Sequence, residues 1–240
     1  MWVVADYLAT ALFSLKPAWA TSSGGKTLLV PTPFAIKMAL VDVVCRTEGV
    51  GSAEANWEWL RDLTIALRPA REVVVNNTFT KILKPRRSEA RQGSAHAGPY
   101  YKTIGYREYA HLDGTLGIAL GVDREEDAAR VSDWLIGVNY LGKRGGFVQI
   151  AAPPRQTDTL PEMFVVVLRE PPERIPNPSL MQQLDECGPA LTFEQVNVYT
   201  SARIRPGKDR LTCLVGLPYR VVASSRGYTQ YELVTNRAGR

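Results

Sequence analysis

Residues 73–122 contain two β-rich segments separated by a polar connection, and this arrangement constrains the fold more than any other part of the sequence. The first segment is rich in Val, Phe and Ile between Val73 and Ile82. The second is rich in Ile, Tyr and Leu between Ile104 and Leu120. The connection is rich in Ser, Gly and Ala, as loops are, so the pattern predicts two long strands joined by a flexible, charged loop.

The positive charge of the chain is concentrated in this hairpin. Residues 79–107 carry seven basic residues and one acidic residue, a net charge of +6, whereas the whole chain carries +5. Five aromatic residues lie in or beside the same segment: Phe79, Tyr100, Tyr101, Tyr106 and Tyr109. Lys and Arg displace counterions from phosphates, and aromatic rings stack on unpaired bases. The pattern favours single-stranded RNA or DNA as a partner; the alternative is that the cations only protect exposed strand edges.

The composition is that of an ordinary globular chain. With 240 residues, 45% of them hydrophobic, the chain fits one large or two small domains. Its cysteines, Cys45, Cys187 and Cys213, are far apart, odd in number and without metal-ligand spacing, so we expect a reduced, cytoplasmic protein and no structural zinc. No stretch approaches the roughly 18 uninterrupted apolar residues of a membrane span.

The apolar N-terminal segment imitates a signal peptide that would end at Ala20. It has no basic residues at its start, and Asp6 and Lys16 interrupt the apolar run. We therefore expect that the segment is not an export signal.

The elements of residues 1–153 predict an α+β fold. Residues 2–15 favour a first strand, and Thr32 with Pro33 favours the start of a helix. A second helical run is predicted over residues 52–67, before the hairpin. Another helix follows, with a capping box from Asp123 to Glu126, and a basic glycine turn then leads into a short strand at residues 147–151. The order is the β-α-β-β-α-β order of a ferredoxin-like domain.

Residues 154–240 predict a smaller antiparallel β-rich region. A strand is predicted at residues 164–168, and a short helix from Asn177-Pro178 to about Gly188. Further strands are predicted at residues 196–204 and 211–217, around the Pro206-Gly207 turn. We therefore divide the chain into a ferredoxin-like domain, residues 1–153, whose thumb spans about residues 76–107, and a C-terminal subdomain, residues 154–240.

Residues 20–27, ATSSGGKT, match a relaxed phosphate-loop pattern. The pattern would place Lys26 on a nucleotide phosphate and Thr27 on magnesium. Pro31 and Pro33 follow where the helix of such a loop should begin. We therefore expect no nucleotide cofactor and no metal, and interpret the segment as a Gly-Ser loop that contacts a nucleic-acid backbone; a phosphate-loop nucleotide-binding protein is the weaker alternative.

His96 and His111 are the two histidines of the chain, so few residues can perform acid–base chemistry at neutral pH. A metal-independent ribonuclease could pair His111 with Tyr109 or Arg107. In the alternative interpretation, His111 is an ordinary strand residue and His96 lies at a loop tip.

Three segments together resemble the Cas five family, the RAMP-superfamily subunit of type I CRISPR surveillance complexes (Cascade). Residues 11–46 are similar to the first strand, loop and Pro-Thr-Pro helix of the family. Residues 71–122 resemble its thumb hairpin, and the turn from Tyr140 to Arg144 resembles its Tyr-Leu-Gly-Lys/Arg turn. The resemblance covers the N-terminal two thirds of the chain.

The resemblance implies a non-catalytic subunit that caps the 5′ handle of the CRISPR RNA. The thumb, here residues 81–102, would lie across the guide at the handle–spacer junction and displace a base. Implied partners are the CRISPR RNA, Cas seven backbone subunits, the large Cas eight subunit, Cas six and, indirectly, target DNA. The predicted RNA-binding residues are Lys16, Trp19, Ser22, Lys26, Thr27 and Lys37 near the first helix; Asn76, Lys81, Lys84, Arg86, Arg87, Arg91, Tyr100, Tyr101, Lys102, Tyr106 and Arg107 in the thumb; and Lys143 and Arg144 in the turn.

One branch of the family also cuts precursor CRISPR RNA, with a Tyr at the end of the first helix and an adjacent Lys-His pair. This chain has Val43-Val44-Cys45-Arg46 at that helix end, and Ala110 precedes His111. The departures imply that a separate nuclease processes the RNA, and a metal-independent endoribonuclease is the alternative function.

Overall fold

The computed structural model describes residues 1–17, 24–88, 92–94, 97–143, 145–169 and 180–234. The predicted site residues Trp19, Ser22, Arg91 and Arg144, and also His96, lie outside these ranges. The helices are α1 Pro33–Thr47, α2 Val50–Ala55, α3 Trp57–Asp62, α4 Glu125–Gly137 and α5 Phe193–Val196. The strands are β1 Trp2–Ala9, β2 Gly24–Gly25, β3 Thr64–Arg68, β4 Glu72–Pro85, β5 Tyr100–Asp113, β6 Leu116–Gly121, β7 Val148–Ile150, β8 Arg155–Thr157, β9 Val165–Val167, β10 Leu180–Cys187, β11 Arg210–Leu217, β12 Tyr219–Ser224 and β13 Tyr228–Leu233.

The first sheet has the antiparallel strand order β7-β1-β6-β3-β9, and β8 also pairs with β1. Val3, Ala5 and Tyr7 alternate on one face of β1 and belong to the main core, together with residues of α1 and α4. The Tyr7 hydroxyl donates a 2.7 Å hydrogen bond to the carbonyl of Leu135 in α4. Around this sheet, β1, α1, β3, β6, α4 and β7 follow the β-α-β-β-α-β order, with the β4–β5 hairpin inserted before β6. The predicted α+β class is confirmed.

Helix α1 begins where the sequence predicts. Pro33 occupies its first turn, and the Thr32 hydroxyl accepts a 3.1 Å hydrogen bond from the Ala35 amide. Ile36, Leu40 and Val43 are buried along the helix. The cap and the buried face together fix α1 against the first sheet.

The predicted helix over residues 52–67 is wrong beyond α3. Residues Thr64–Arg68 form β3 instead, and Ile65 pairs with Leu120 of β6. The β-branched Thr64 and Ile65 suit a strand, and the pairing with β6 is a long-range interaction that outweighs local helical spacing.

Two predictions for the C-terminal third are also wrong. The segment predicted as a helix ending near Gly188 contains β10, which pairs with β11; the predicted helix start, Asn177-Pro178, lies outside the described residues. Leu184 and Cys213 form one buried pair in this hairpin. Residues 196–204 were predicted as a strand, but they hold the end of α5 and irregular structure. In the N-terminal part, the predicted capping box of α4 is absent: Arg124 rather than Asp123 is the cap residue, and its guanidinium donates to the Asp127 carboxylate in the first turn.

The second sheet has the strand order β12-β13-β4-β5-β2. Strand β13 pairs with β4 over Glu72–Asn76, and the Tyr219 hydroxyl donates a 2.6 Å hydrogen bond to the carbonyl of Ala70. Strands from beyond residue 153 thus complete the first and second sheets, β10 and β11 form a third, two-stranded sheet, and one buried cluster extends from Val3 to Tyr219. No helix among the described residues is long and apolar enough to cross a lipid bilayer.

Candidate nucleic-acid interface

The thumb is a continuous two-stranded hairpin. Strands β4 and β5 pair in register from Glu72 opposite Asp113 to Pro85 opposite Tyr100. At its base, Val73 and Leu112 are buried in the core. The ladder with β13 ends at Asn76, so the outer part of the hairpin extends beyond the sheet and stays exposed. The predicted hairpin is confirmed as a projecting arm.

The outer thumb has two different faces. Residues opposite each other in register share a face of a hairpin. One face presents large apolar side chains that are 55–69% exposed, with lysines between them: Phe79, Leu83, Tyr100 and Ile104, with Lys81 and Lys102. The other face is more polar and contains Thr78, Thr80, Ile82, Lys84, Tyr101, Thr103 and Arg107. Both faces therefore carry cations beside rings.

The tip of the thumb places Arg86 and Arg87 beyond the last strand pair. The Arg86 amide donates a 2.8 Å hydrogen bond to the carbonyl of Pro99, and its guanidinium lies 5.7 Å from the ring centre of Tyr101. The Nε atom of Arg86 is buried and has no hydrogen-bond partner within the described residues.

A carboxylate at the base of the thumb fixes the loop before α1. Glu108 is 5% exposed and accepts hydrogen bonds from the Thr27 amide at 2.8 Å and the Tyr106 hydroxyl at 2.6 Å. The Lys26 ammonium lies 3.0 Å from the same carboxylate. Burial, and then the hydrogen bond to Glu108, raises the pKa of Tyr106 to about 12, so Tyr106 stays a neutral donor. The network holds the loop against the thumb.

These contacts argue against the phosphate-loop alternative. The Thr27 side chain is buried, and its hydroxyl donates to the Leu28 carbonyl while accepting from the Leu15 amide. The helix that follows, α1, begins only at Pro33. The Thr27 hydroxyl is therefore bound within the protein, which disagrees with a role as a magnesium ligand or an RNA contact.

Lys37 also differs from its predicted role. It is 1% exposed, and its ammonium donates to Glu186 at 2.8 Å and to the Arg61 carbonyl at 2.7 Å. Its charge is compensated inside the protein, so Lys37 is a structural residue rather than an RNA contact.

Asn76, another predicted RNA contact, is half-buried in β4, where Tyr109 and Tyr228 flank it in register.

The glycine turn positions Lys143 beside two other cations. Gly142 has φ +78, and a Cβ atom there would lie 2.8 Å from Leu15, so the position requires glycine. Burial, followed by the charges of Arg107 and Lys16, lowers the pKa of Lys143. We call Lys16, Arg107 and Lys143 the basic patch. Among the described residues, none of the three forms a salt bridge.

A cavity of about 260 Å³ beside the basic patch is lined by an arginine, Arg210, that the sequence analysis did not identify as a site residue. Lys16 and Lys143 line it together with Phe34 and Arg210. The Arg210 guanidinium lies 4.4 Å from the ring centre of Phe34 and donates a 2.6 Å hydrogen bond to Asp185. Arg210 begins β11, far along the chain, and no local sequence pattern indicates that it reaches α1.

The three residues of the cleavage alternative lie on one surface. Arg107, Tyr109 and His111 alternate along β5 and therefore share a face. The helix end that carries a catalytic Tyr in the cleaving branch has buried Val43 and Val44 here.

Comparisons with known proteins relate this chain to a curated protein and to solved structures. The chain is 24% identical over 207 residues to CRISPR-associated protein Cas5 of Archaeoglobus fulgidus, an alignment that covers 83% of this chain and 85% of that protein. No protein-family model matches the sequence. A crystal structure of a CRISPR protein from Archaeoglobus fulgidus aligns over 98% of this chain and 92% of that chain, with a TM-score of 0.46 and 12% identity. A chain of a CRISPR RNA-guided surveillance complex aligns over 90% of each chain, with a TM-score of 0.45 and 16% identity.

Proposed function

We propose that this chain is a Cas5-type subunit that binds single-stranded CRISPR RNA in a type I surveillance complex. The observation that carries the proposal is the convergence of uncompensated cations at the basic patch and along the thumb, beside exposed aromatic rings. Similarity to the Archaeoglobus fulgidus Cas5 protein over most of both chains supports a CRISPR-associated role.

In this proposal the two regions bind different parts of the RNA. Lys16, Arg107 and Lys143 contact phosphates of the 5′ handle, because point charges without internal partners favour an anionic ligand. The thumb lies across the strand, and Tyr100 or Tyr101 stacks on an unpaired base. The chain positions RNA and does not cut it.

The protein partners follow from the same arrangement. The exposed apolar face of the thumb, which contains Phe79, Leu83 and Ile104, contacts a Cas seven backbone subunit. The C-terminal third contacts the large Cas eight subunit. Cas six and, through the guide, target DNA complete the expected assembly.

Replacement of Lys84, Arg86 and Arg87 together by Ala tests the proposal. We expect RNA affinity to fall at least tenfold, because each cation that leaves a phosphate lowers the binding constant. The slope of log affinity against log salt should decrease by about 2, at about 0.7 per phosphate contact on a single strand. Fluorescence anisotropy with a labelled CRISPR repeat RNA measures both quantities.

The control replaces Arg203 and Lys208, exposed cations outside the thumb and the basic patch, by Ala. Its affinity and salt slope should stay close to those of the wild type. A thumb variant that binds RNA as tightly as this control would contradict the proposal.

A metal-independent endoribonuclease is the second candidate, favoured by the shared face of Arg107, Tyr109 and His111. Incubating the protein with repeat RNA in EDTA separates the two functions. Cleavage that disappears in His111→Ala would establish the enzyme, whereas intact, bound RNA supports the binding subunit.

A further inference from the structure

A second cavity lies beside the loop segment that adjoins the basic patch. Its volume is about 500 Å³, and three parts of the fold line it: residues 26–29, the inner thumb with β13, and the β10–β11 hairpin. Leu28 lines this cavity as well as the smaller one beside Lys143. The side chain of Lys26, which also lines the cavity, is 67% exposed. An RNA strand on the basic patch would therefore pass close to this cavity.

The lining combines apolar surface with side-chain amides. Met181 and Leu214, each 40% exposed, contribute apolar surface from the β10–β11 hairpin. Gln182 accepts a 3.1 Å hydrogen bond from the Leu29 amide through Oε1, which fixes its orientation. Within the described residues, the amide nitrogen of Gln182 has no hydrogen-bond partner. Its two N–H donors can therefore serve a ligand.

A nucleobase has the chemistry that this lining accepts. A base presents flat apolar faces and an edge of donors and acceptors, which apolar side chains and amides bind together. The charged groups of the lining, Lys26 and Glu108, already compensate each other in an ion pair, so the cavity offers a phosphate no free cation. The lining thus favours the neutral part of a nucleotide, while the neighbouring patch favours its phosphate.

We propose that this cavity holds one unstacked nucleobase of the RNA strand whose phosphates lie on the basic patch. The inference rests on the proposed RNA-binding function and adds a base-binding site formed by the C-terminal hairpin. Residues from β10 and β11 thereby take part in RNA recognition, although the sequence resemblance covers only the N-terminal two thirds.

Leu214→Trp tests the inference by filling the cavity from a position that is partly exposed and tolerates a larger side chain. Binding is measured for two labelled probes, an oligoadenylate of about 12 nucleotides and the same oligonucleotide without bases. The wild type should prefer the oligoadenylate. In Leu214→Trp this preference should fall by roughly 5- to 100-fold, the range expected for one base contact, while affinity for the abasic probe stays the same.

Two further variants separate a blocked site from a damaged fold. Met181→Trp fills the cavity from the opposite strand and should repeat the effect. Thr212 lies two residues from Leu214 in β11 and outside the cavity, so Thr212→Trp should leave the preference for the oligoadenylate unchanged. The thermal unfolding midpoint of each variant identifies any loss of fold.

The outcomes distinguish this inference from the function on which it rests. An unchanged preference in both cavity-filling variants, or an equal loss for both probes, overturns the base site and leaves RNA binding intact. A wild type that binds the two probes equally also overturns the base site. A wild type that binds neither probe overturns the proposed function and the base site with it.

Discussion

At the scale of single residues, Lys143 shows how the fold prepares a cation for an anionic ligand. Partial burial removes water from its ammonium, and Arg107 and Lys16 repel it, so the pKa of Lys143 is below that of an ordinary lysine. A bound phosphate would reverse this effect, because an opposite charge favours the protonated form. RNA binding and protonation of Lys143 are therefore linked.

We predict that RNA affinity decreases as the pH rises from about 7 to about 10, because Lys143 loses its proton earlier than an ordinary lysine does. A neutral amine no longer attracts phosphate, so affinity is highest below the lowered pKa. Lys143→Arg keeps its charge across this range and should show a smaller decrease. Anisotropy titrations at constant salt measure both profiles, and equal profiles would contradict the role of Lys143.

At the scale of elements, a buried ion pair joins α1 to β10. The Lys37 ammonium and the Glu186 carboxylate are both almost fully buried, and Glu186 also accepts a hydrogen bond from the Cys187 amide. Removing one partner leaves the other charge uncompensated in the interior, which costs more than an exposed pair would. The pair therefore contributes to the relative placement of helix and hairpin.

We predict that Lys37→Met lowers the free energy of unfolding by about 3–5 kcal/mol, the usual cost of a broken buried pair. Adding Glu186→Gln should recover part of that loss, because the remaining carboxylate is then neutral. Urea unfolding of both single variants and the double variant measures the coupling. Additive losses would show that the two side chains do not stabilise each other.

The elements that the sequence predicted are those with local signals. The hairpin follows from two β-rich segments around a Gly-Ser-Ala loop, and α1 follows from the Thr32 cap and Pro33. Strands β3 and β10 depend instead on pairing with β6 and β11, and no pattern within either segment identifies a distant partner.

The same distinction applies to the candidate site. The charge of the thumb and the glycine turn at Lys143 are visible in the sequence. The burial of Lys37 and the position of Arg210 are not, because Glu186 and Phe34 are far from them along the chain.

At the scale of the whole molecule, the predicted domain boundary at residue 153 separates strands that pair with each other in the first and second sheets. Strand β9 pairs with β3, and β13 pairs with β4. The Trp57 indole also donates a 2.8 Å hydrogen bond to the Leu191 carbonyl. Strand β8 pairs with β1 as well, so the N-terminal part takes three neighbouring strands and a buried hydrogen-bond acceptor from residues 154–240.

We predict that a fragment of residues 1–153 does not unfold cooperatively, because it lacks these strands and exposes core residues. Thermal unfolding followed by circular dichroism, with the full chain as the control, measures this. A sharp transition in the fragment would instead support two independent domains.

The length of the thumb has a consequence for how one RNA strand is held. Seven residue steps separate Arg107 at its base from Tyr100 near its tip, which is roughly 23 Å at about 3.3 Å per residue. A strand long enough to reach both ends binds the second end as an intramolecular event, at a high effective concentration. Avidity would then distinguish long guides from short fragments, even where each individual contact is weak.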